Sequence, residues 1–129
     1  MEDSIFTKII KGDIPCHKVY EDEKTLAFVD INPIQPGHTL VVSKNQQDKF
    51  YDLPEEDYTA LMSTVKKVAL RLEKVIGKRV TIQVLGYDVP HAHVHVIPAD
   101  TPEEFRHIPS PNHIPDHEAL AEMAKKIAF

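Results

Sequence analysis

Residues 91–98 read His91-Ala92-His93-Val94-His95-Val96-Ile97-Pro98, a strict alternation of imidazole and small or branched aliphatic side chains closed by a proline. In an extended strand successive side chains point to opposite faces. The pattern therefore puts three imidazoles on one face and turns Ala92, Val94 and Val96 toward a core. Alternate α-carbons stand about 6.6 to 6.8 Å apart, near enough for the rings to act as one site. Each imidazole brings two polar nitrogens that need partners, so three on a common face are a poor choice for plain packing. Two chemistries suit them. The triplet can offer neutral nitrogens to zinc or another borderline metal. Alternatively, one ring can attack phosphorus while its neighbours orient it and protonate the leaving group.

Outward from the triplet, Arg79 to Leu85 is rich in β-branched residues and is separated from it by Gly86-Tyr87-Asp88, which predicts a hairpin. Upstream, Tyr58, Leu61, Met62, Val65, Val68, Ala69, Leu72, Val75 and Ile76 fall on one helical stripe, predicting a long helix over about Leu53 to Ile76. Asp52 with Glu55 resembles a capping box, and Gly77 is a natural stop. His38 to Ser43 reads as a central strand because its middle is continuously apolar. Before it lies a fixed loop, Asn32-Pro33-Ile34-Gln35-Pro36-Gly37. Lys18 to Glu21 and Thr25 to Asp30 predict a further hairpin, and Ser4 to Gly12 a short amphipathic helix with Ser4 as N-cap. Beyond Pro98 the four prolines Pro102, Pro109, Pro111 and Pro115 predict a loop, followed by a helix from about Asp116 to Ile127. The order predicts an α+β fold with a mainly antiparallel sheet, one short and one long helix, and a C-terminal helix.

The 129 residues suit one domain, with 1–98 as its body and 99–129 as an extension of it. A formal charge of -5 provides no long-range positive field, which argues against polymeric nucleic acid. A mononucleotide is compatible, since local amides and imidazoles hold a single phosphate whatever the net charge. The single cysteine, Cys16, forms no disulfide within the chain and fits a reducing compartment. No basic leader with an apolar run opens the chain, and no stretch has the roughly 18 to 20 apolar residues a bilayer span needs. The expectation is a cytoplasmic protein without membrane contact.

The triplet resembles the motif of the histidine triad family, in which three histidines alternate with hydrophobic residues. The likeness runs over about residues 5 to 98 and includes Ile5-Phe6, Lys8-Ile9-Ile10, Ile14-Pro15, Val19-Tyr20-Glu21-Asp22, Leu26 to Pro33 and Pro36-Gly37-His38. These blocks are similar to those of the nucleoside phosphoramidase branch. The resemblance implies a homodimer and a purine nucleotide substrate. It implies hydrolysis or transfer at an α-phosphorus joined to an amine, an acyl group or a second phosphate, with no cofactor and no resident metal. It makes His93 the nucleophile, His95 its orienting partner, His91 a group near the leaving group or phosphate, and His38 a fourth site histidine. Asp30 becomes the ribose carboxylate, and Ile5, Phe6, Ile9 and Ile31 the walls of a base pocket.

Two departures matter. Relatives with a structural zinc carry Cys-x-x-Cys on the first helix, where this chain has Ser4 and Thr7. Many relatives place a hydroxyl residue in a glycine-rich loop before the triplet, where this chain has Asp88, a carboxylate that repels phosphate or favours a cationic amine leaving group. Two other readings stay open on the residues alone: a nucleotide-binding module without useful turnover, and a metal protein built on the triplet. The tail histidines His107, His113 and His117 follow no common ligand spacing and are expected in solvent.

Overall fold

In the computed structural model, which describes residues 2–129, the sheet has five strands: β1 (Lys18–Glu21), β2 (Thr25–Val29), β3 (Thr39–Ser43), β4 (Val80–Gln83) and β5 (His93–Pro98). Their order is β1-β2-β3-β5-β4, and every neighbouring pair is antiparallel. The α+β class and the two hairpins expected from the sequence are present. Strand β3 is buried at every position, as its apolar middle predicts.

One face of the sheet carries α2 (Glu55–Ile76) and α4 (His117–Ile127), and the other carries α1 (Ile5–Ile10). Two cores result. Val41, Val94 and Val96 pack with Leu61, Val65, Val68 and Leu72 of α2 and with Leu120, Ala124 and Ile127 of α4. Phe28, Leu40 and Val42 pack with Phe6 of α1. The last helix therefore completes the core of the body. Among the described residues no helix is long and apolar enough to cross a membrane.

Local chemistry differs from expectation at two helix starts. Pro54 occupies the N-cap position of α2 without a side-chain cap, and Asp52 lies in a separate 3-10 turn, Phe50–Asp52. The residue before a proline is held extended, and Leu53 has ψ 139°, so Asp52 is carried away from the helix and no capping box forms. The tail is not all loop either, because α3 (Pro102–Phe105) forms a single turn. There the Thr101 side chain accepts from the Glu104 amide and Pro102 supplies a helical φ, a start signal already written in Thr-Pro-Glu-Glu.

Gly37 immediately precedes His38 at the entry to β3 and takes a left-handed conformation. Its φ is +92°, and a Cβ there would collide with Ile76 Cδ1 and lie 3.3 Å from Pro98 Cγ. Gly37→Ala should cost about 1 to 3 kcal/mol from the left-handed conformation and the contact together. A denaturant midpoint equal to that of the unsubstituted protein would contradict this.

Candidate active site

His93 and His95 project from β5 toward the α1 face, as alternation requires. They line a cavity of about 630 Å³ whose walls include Ile5, Phe6, Ile9, Asp30, Ile31 and Asp88. Two of the ten expected residues, His91 and His38, lie outside its lining.

His91 sits before the start of β5 and is fully buried beneath α1, in edge contact with the Phe6 ring. Its Nε2 lies 2.6 Å from the Ser43 carbonyl and its Nδ1 2.6 Å from Ser4 Oγ. A carbonyl can only accept, so Nε2 carries the proton and the Ser4 hydroxyl donates to Nδ1. Ser4 Oγ in turn accepts from the Thr7 amide, and Thr7 Oγ1 donates to Gln46. The positions that carry cysteine in zinc-holding relatives thus belong here to a closed hydrogen-bonded cluster with one imidazole, a poor donor set for zinc. With both nitrogens engaged, His91 reaches the site through its backbone carbonyl, not through its ring near the leaving group.

That carbonyl lies 2.6 Å from His93 Nδ1. Nδ1 must donate to it, which leaves the Nε2 lone pair free. Burial lowers the His93 pKa from 6.5, opposed by the hydrogen bond to His91 and by the Asp88 carboxylate. The ring is neutral near pH 7 and is held in the tautomer a nucleophile needs.

A second chain of donors fixes His95. The Ile34 amide donates to His38 Nδ1 at 3.0 Å, so the His38 proton is on Nε2, 2.9 Å from His95 Nδ1. His95 Nδ1 accepts, and its own proton is therefore on Nε2. Burial drives His38 down to about 3, with His95 adding to the effect. It drives His95 down to about 4, with His93 adding and Asp88 opposing. Both rings are neutral, so the 3.6 Å approach of His38 Nε2 to Asp30 is a polar contact and not an ion pair.

Asp30 follows β2, with Oδ1 accepting from the Asn32 amide at 2.7 Å and Oδ2 turned toward His38 and His95. Burial raises its pKa, and the Asn32 hydrogen bond lowers it. Asp30, His38 and His95 place ligand atoms within 4.8 Å of one another. A metal there would have to displace the His38 Nε2 proton, which the Ile34 amide holds in place by occupying Nδ1. The triplet itself does not converge on a point, because both His91 nitrogens face other groups.

Sequence reasoning missed several lining residues: Pro15, Cys16, His17, Leu85, Val89 and His117. His117, expected in solvent, is exposed but lies 3.0 Å from His17 at the cavity wall. No local pattern signals a pair separated by 100 residues.

Comparison with known proteins agrees with the fold and the motif. The family model described as HIT domain matches residues 11–102. A HIT-like protein of Methanocaldococcus jannaschii is 43% identical over 99 residues, covering 73% of this chain and 77% of its own. Adenosine 5'-monophosphoramidase hnt1 of Schizosaccharomyces pombe is 39% identical over 101 residues, covering 77% of this chain and 76% of its own. The crystal structure of a Hit-like protein from Bartonella henselae superposes with a TM-score of 0.82 at 33% identity, over 97% of this chain and 94% of that one. With that superposition, the five-stranded antiparallel sheet and its imidazole-lined cavity place the protein among α+β proteins of the histidine triad fold. The chain belongs to the HIT family.

Proposed function

We propose that the protein hydrolyses nucleoside 5'-phosphoramidates, or closely related nucleotide conjugates, through a nucleotidyl-histidine at His93. The observation that carries this reading is the Nδ1–H of His93 bound to the His91 carbonyl, which leaves Nε2 unprotonated on a ring that lines the cavity. Similarity to proteins named adenosine 5'-monophosphoramidase supports the substrate class.

In the first step Nε2 of His93 bonds to the α-phosphorus and the phosphorus–nitrogen bond breaks. As the phosphoryl anion binds beside His95, charge attraction favours uptake of one proton from solvent at Nδ1, in place of the hydrogen bond from His38, and the Nε2 proton passes to the departing nitrogen. In the second step water attacks phosphorus, its proton returns to His95, and the His93–phosphorus bond breaks. Asp30 accepts hydrogen bonds from the ribose hydroxyls, while Ile5, Phe6, Ile9 and Ile31 flank the base. Release of AMP from an adenosine 5'-phosphoramidate, with a labelled nucleotidyl adduct on His93 after alkaline quench, is the test. Neither product nor adduct would sink the reading.

Asp88 bears on the leaving group. Among the described residues no lysine or arginine lines the cavity, and the charged groups there are the carboxylates Asp30 and Asp88. A leaving group with a second phosphate meets repulsion there, and a cationic amine meets attraction. Asp88→Asn should lower kcat/KM for an amine bearing an extra positive charge by about three- to tenfold and leave a neutral isostere unchanged. Equal effects on both substrates would exclude this role.

The homodimer is likewise proposed. Strand β4 is an open sheet edge, and Ile82, Val84, Leu85 and Tyr87 along it and the following loop are exposed. An uncovered apolar edge favours pairing with a second copy. Light scattering should return twice the chain mass, with Ile82→Lys shifting it toward the monomer; a wild-type monomer at micromolar concentration contradicts the proposal.

A further inference from the structure

Strand order sets the stations of a bound nucleotide in line. His93 lies on β5, Asp30 ends β2 and His17 immediately precedes β1, so His17 is three strand spacings, roughly 14 Å at the backbone, from the nucleophile's strand. The His17 carbonyl accepts from the Val29 amide at 3.0 Å, which anchors His17 beside Asp30. His117, at the first turn of α4, meets it across the cavity rim, with ring centroids 5.2 Å apart and His17 Nε2 3.0 Å from His117 Nδ1. Residue 117 lies beyond the 11–102 span of the family match.

We infer that His17 and His117 together read the edge of the nucleobase, and that they accept purines with either an exocyclic amino or an exocyclic oxo group. This rests on the hydrolase reading above. In the neutral pair one ring donates at the 3.0 Å contact and the other accepts. If His17 Nε2–H donates, His17 Nδ1 is an acceptor and His117 Nε2–H a donor. If His117 Nδ1–H donates, those outer roles exchange. Either way the pair offers one donor and one acceptor, and moving two protons swaps their positions. An adenine edge presents an amino donor beside a ring acceptor, and a guanine edge presents an oxo acceptor beside a ring donor. The outer nitrogens lie at opposite ends of the pair, so one of them meets the base, accepting from the adenine amino group in one tautomer and donating to the guanine oxo group in the other. The apolar walls at Ile5, Phe6 and Ile9 hold any flat base but leave its polar edge unread.

The test compares phosphoramidates of adenosine, guanosine and unsubstituted purine riboside, all with the same amine. The wild-type protein should turn over the first two within about threefold of each other, and the third with a KM about tenfold higher, the value of one or two neutral hydrogen bonds. His117→Ala and His17→Ala should each raise KM for adenosine and guanosine to that of purine riboside, with kcat unchanged. His117 is exposed, so its substitution leaves the core intact. Equal KM values for all three substrates in the wild type, an unchanged KM in both variants, or a fall in kcat in place of the KM rise would overturn the base-reading pair while leaving the hydrolase intact. No product from any substrate, together with no AMP binding by calorimetry, would remove both.

Discussion

His93→Ala should reduce AMP release from a nucleoside phosphoramidate by at least about a thousandfold while leaving the fold in place, because it removes the imidazole whose Nε2 lone pair forms the bond to phosphorus. His95 is not a substitute: its Nδ1 accepts the His38 proton and its Nε2 carries its own proton, so neither nitrogen presents a lone pair. Within the same rings lies the pH dependence. His93 attacks only when neutral, and burial holds its pKa below 6.5. For a leaving group that departs without a proton, the kcat/KM profile of the wild type should therefore stay flat on descending through pH 6.5 and fall only at more acid values, as protonation blocks Nε2. An acid limb centred above 6.5, or His93→Ala at more than about a tenth of wild-type rate, would exclude His93 as the nucleophile.

The same imidazoles tie activity to stability. His38 and His95 are buried neutral, with pKa values of about 3 and about 4 against 6.5 when unfolded. Below pH 6.5 the unfolded chain takes up protons that the folded one refuses, so stability falls with pH through that window and levels off near the folded values. The site is built from groups whose neutral forms the fold enforces.

How far the site could be read from the chain follows from the range of the interactions involved. Alternation in residues 91–98 placed His93 and His95 correctly, because strand geometry is local. The helical stripe from Tyr58 to Ile76 located α2 for the same reason. His91 shares the face of the other two, but its burial depends on Ser4 and on the Ser43 carbonyl, 87 and 48 residues away in sequence. Periodicity carries no record of such partners. The roles of His38 and His95 as a donor pair hang on the Ile34 amide, a backbone group in a proline-rich loop whose direction no side-chain pattern specifies. Asp52 shows the converse failure, in which a cap pattern that looked complete was overridden by the extended residue ahead of Pro54.

His95→Ala should lower turnover by about a hundred- to a thousandfold for an alkylamine leaving group, and by much less for a leaving group that departs without a proton. An alkylamine leaves phosphorus only when protonated, and His95 Nε2–H is the proton-bearing nitrogen left unpaired among the described residues on the cavity-lining ring. A nitrophenyl nucleotide ester needs no such help, so its hydrolysis isolates the attack by His93 from the delivery of the proton. His38→Ala should reproduce the pattern in weaker form. It removes the donor that fixes the His95 tautomer, and the His95 ring is then free to turn its lone pair to the cavity for part of the time. The ratio of the two substrates' losses is the decisive quantity. If His95→Ala slows both equally, His95 stabilises the phosphoryl oxygens in each transition state and is not the source of the leaving group's proton.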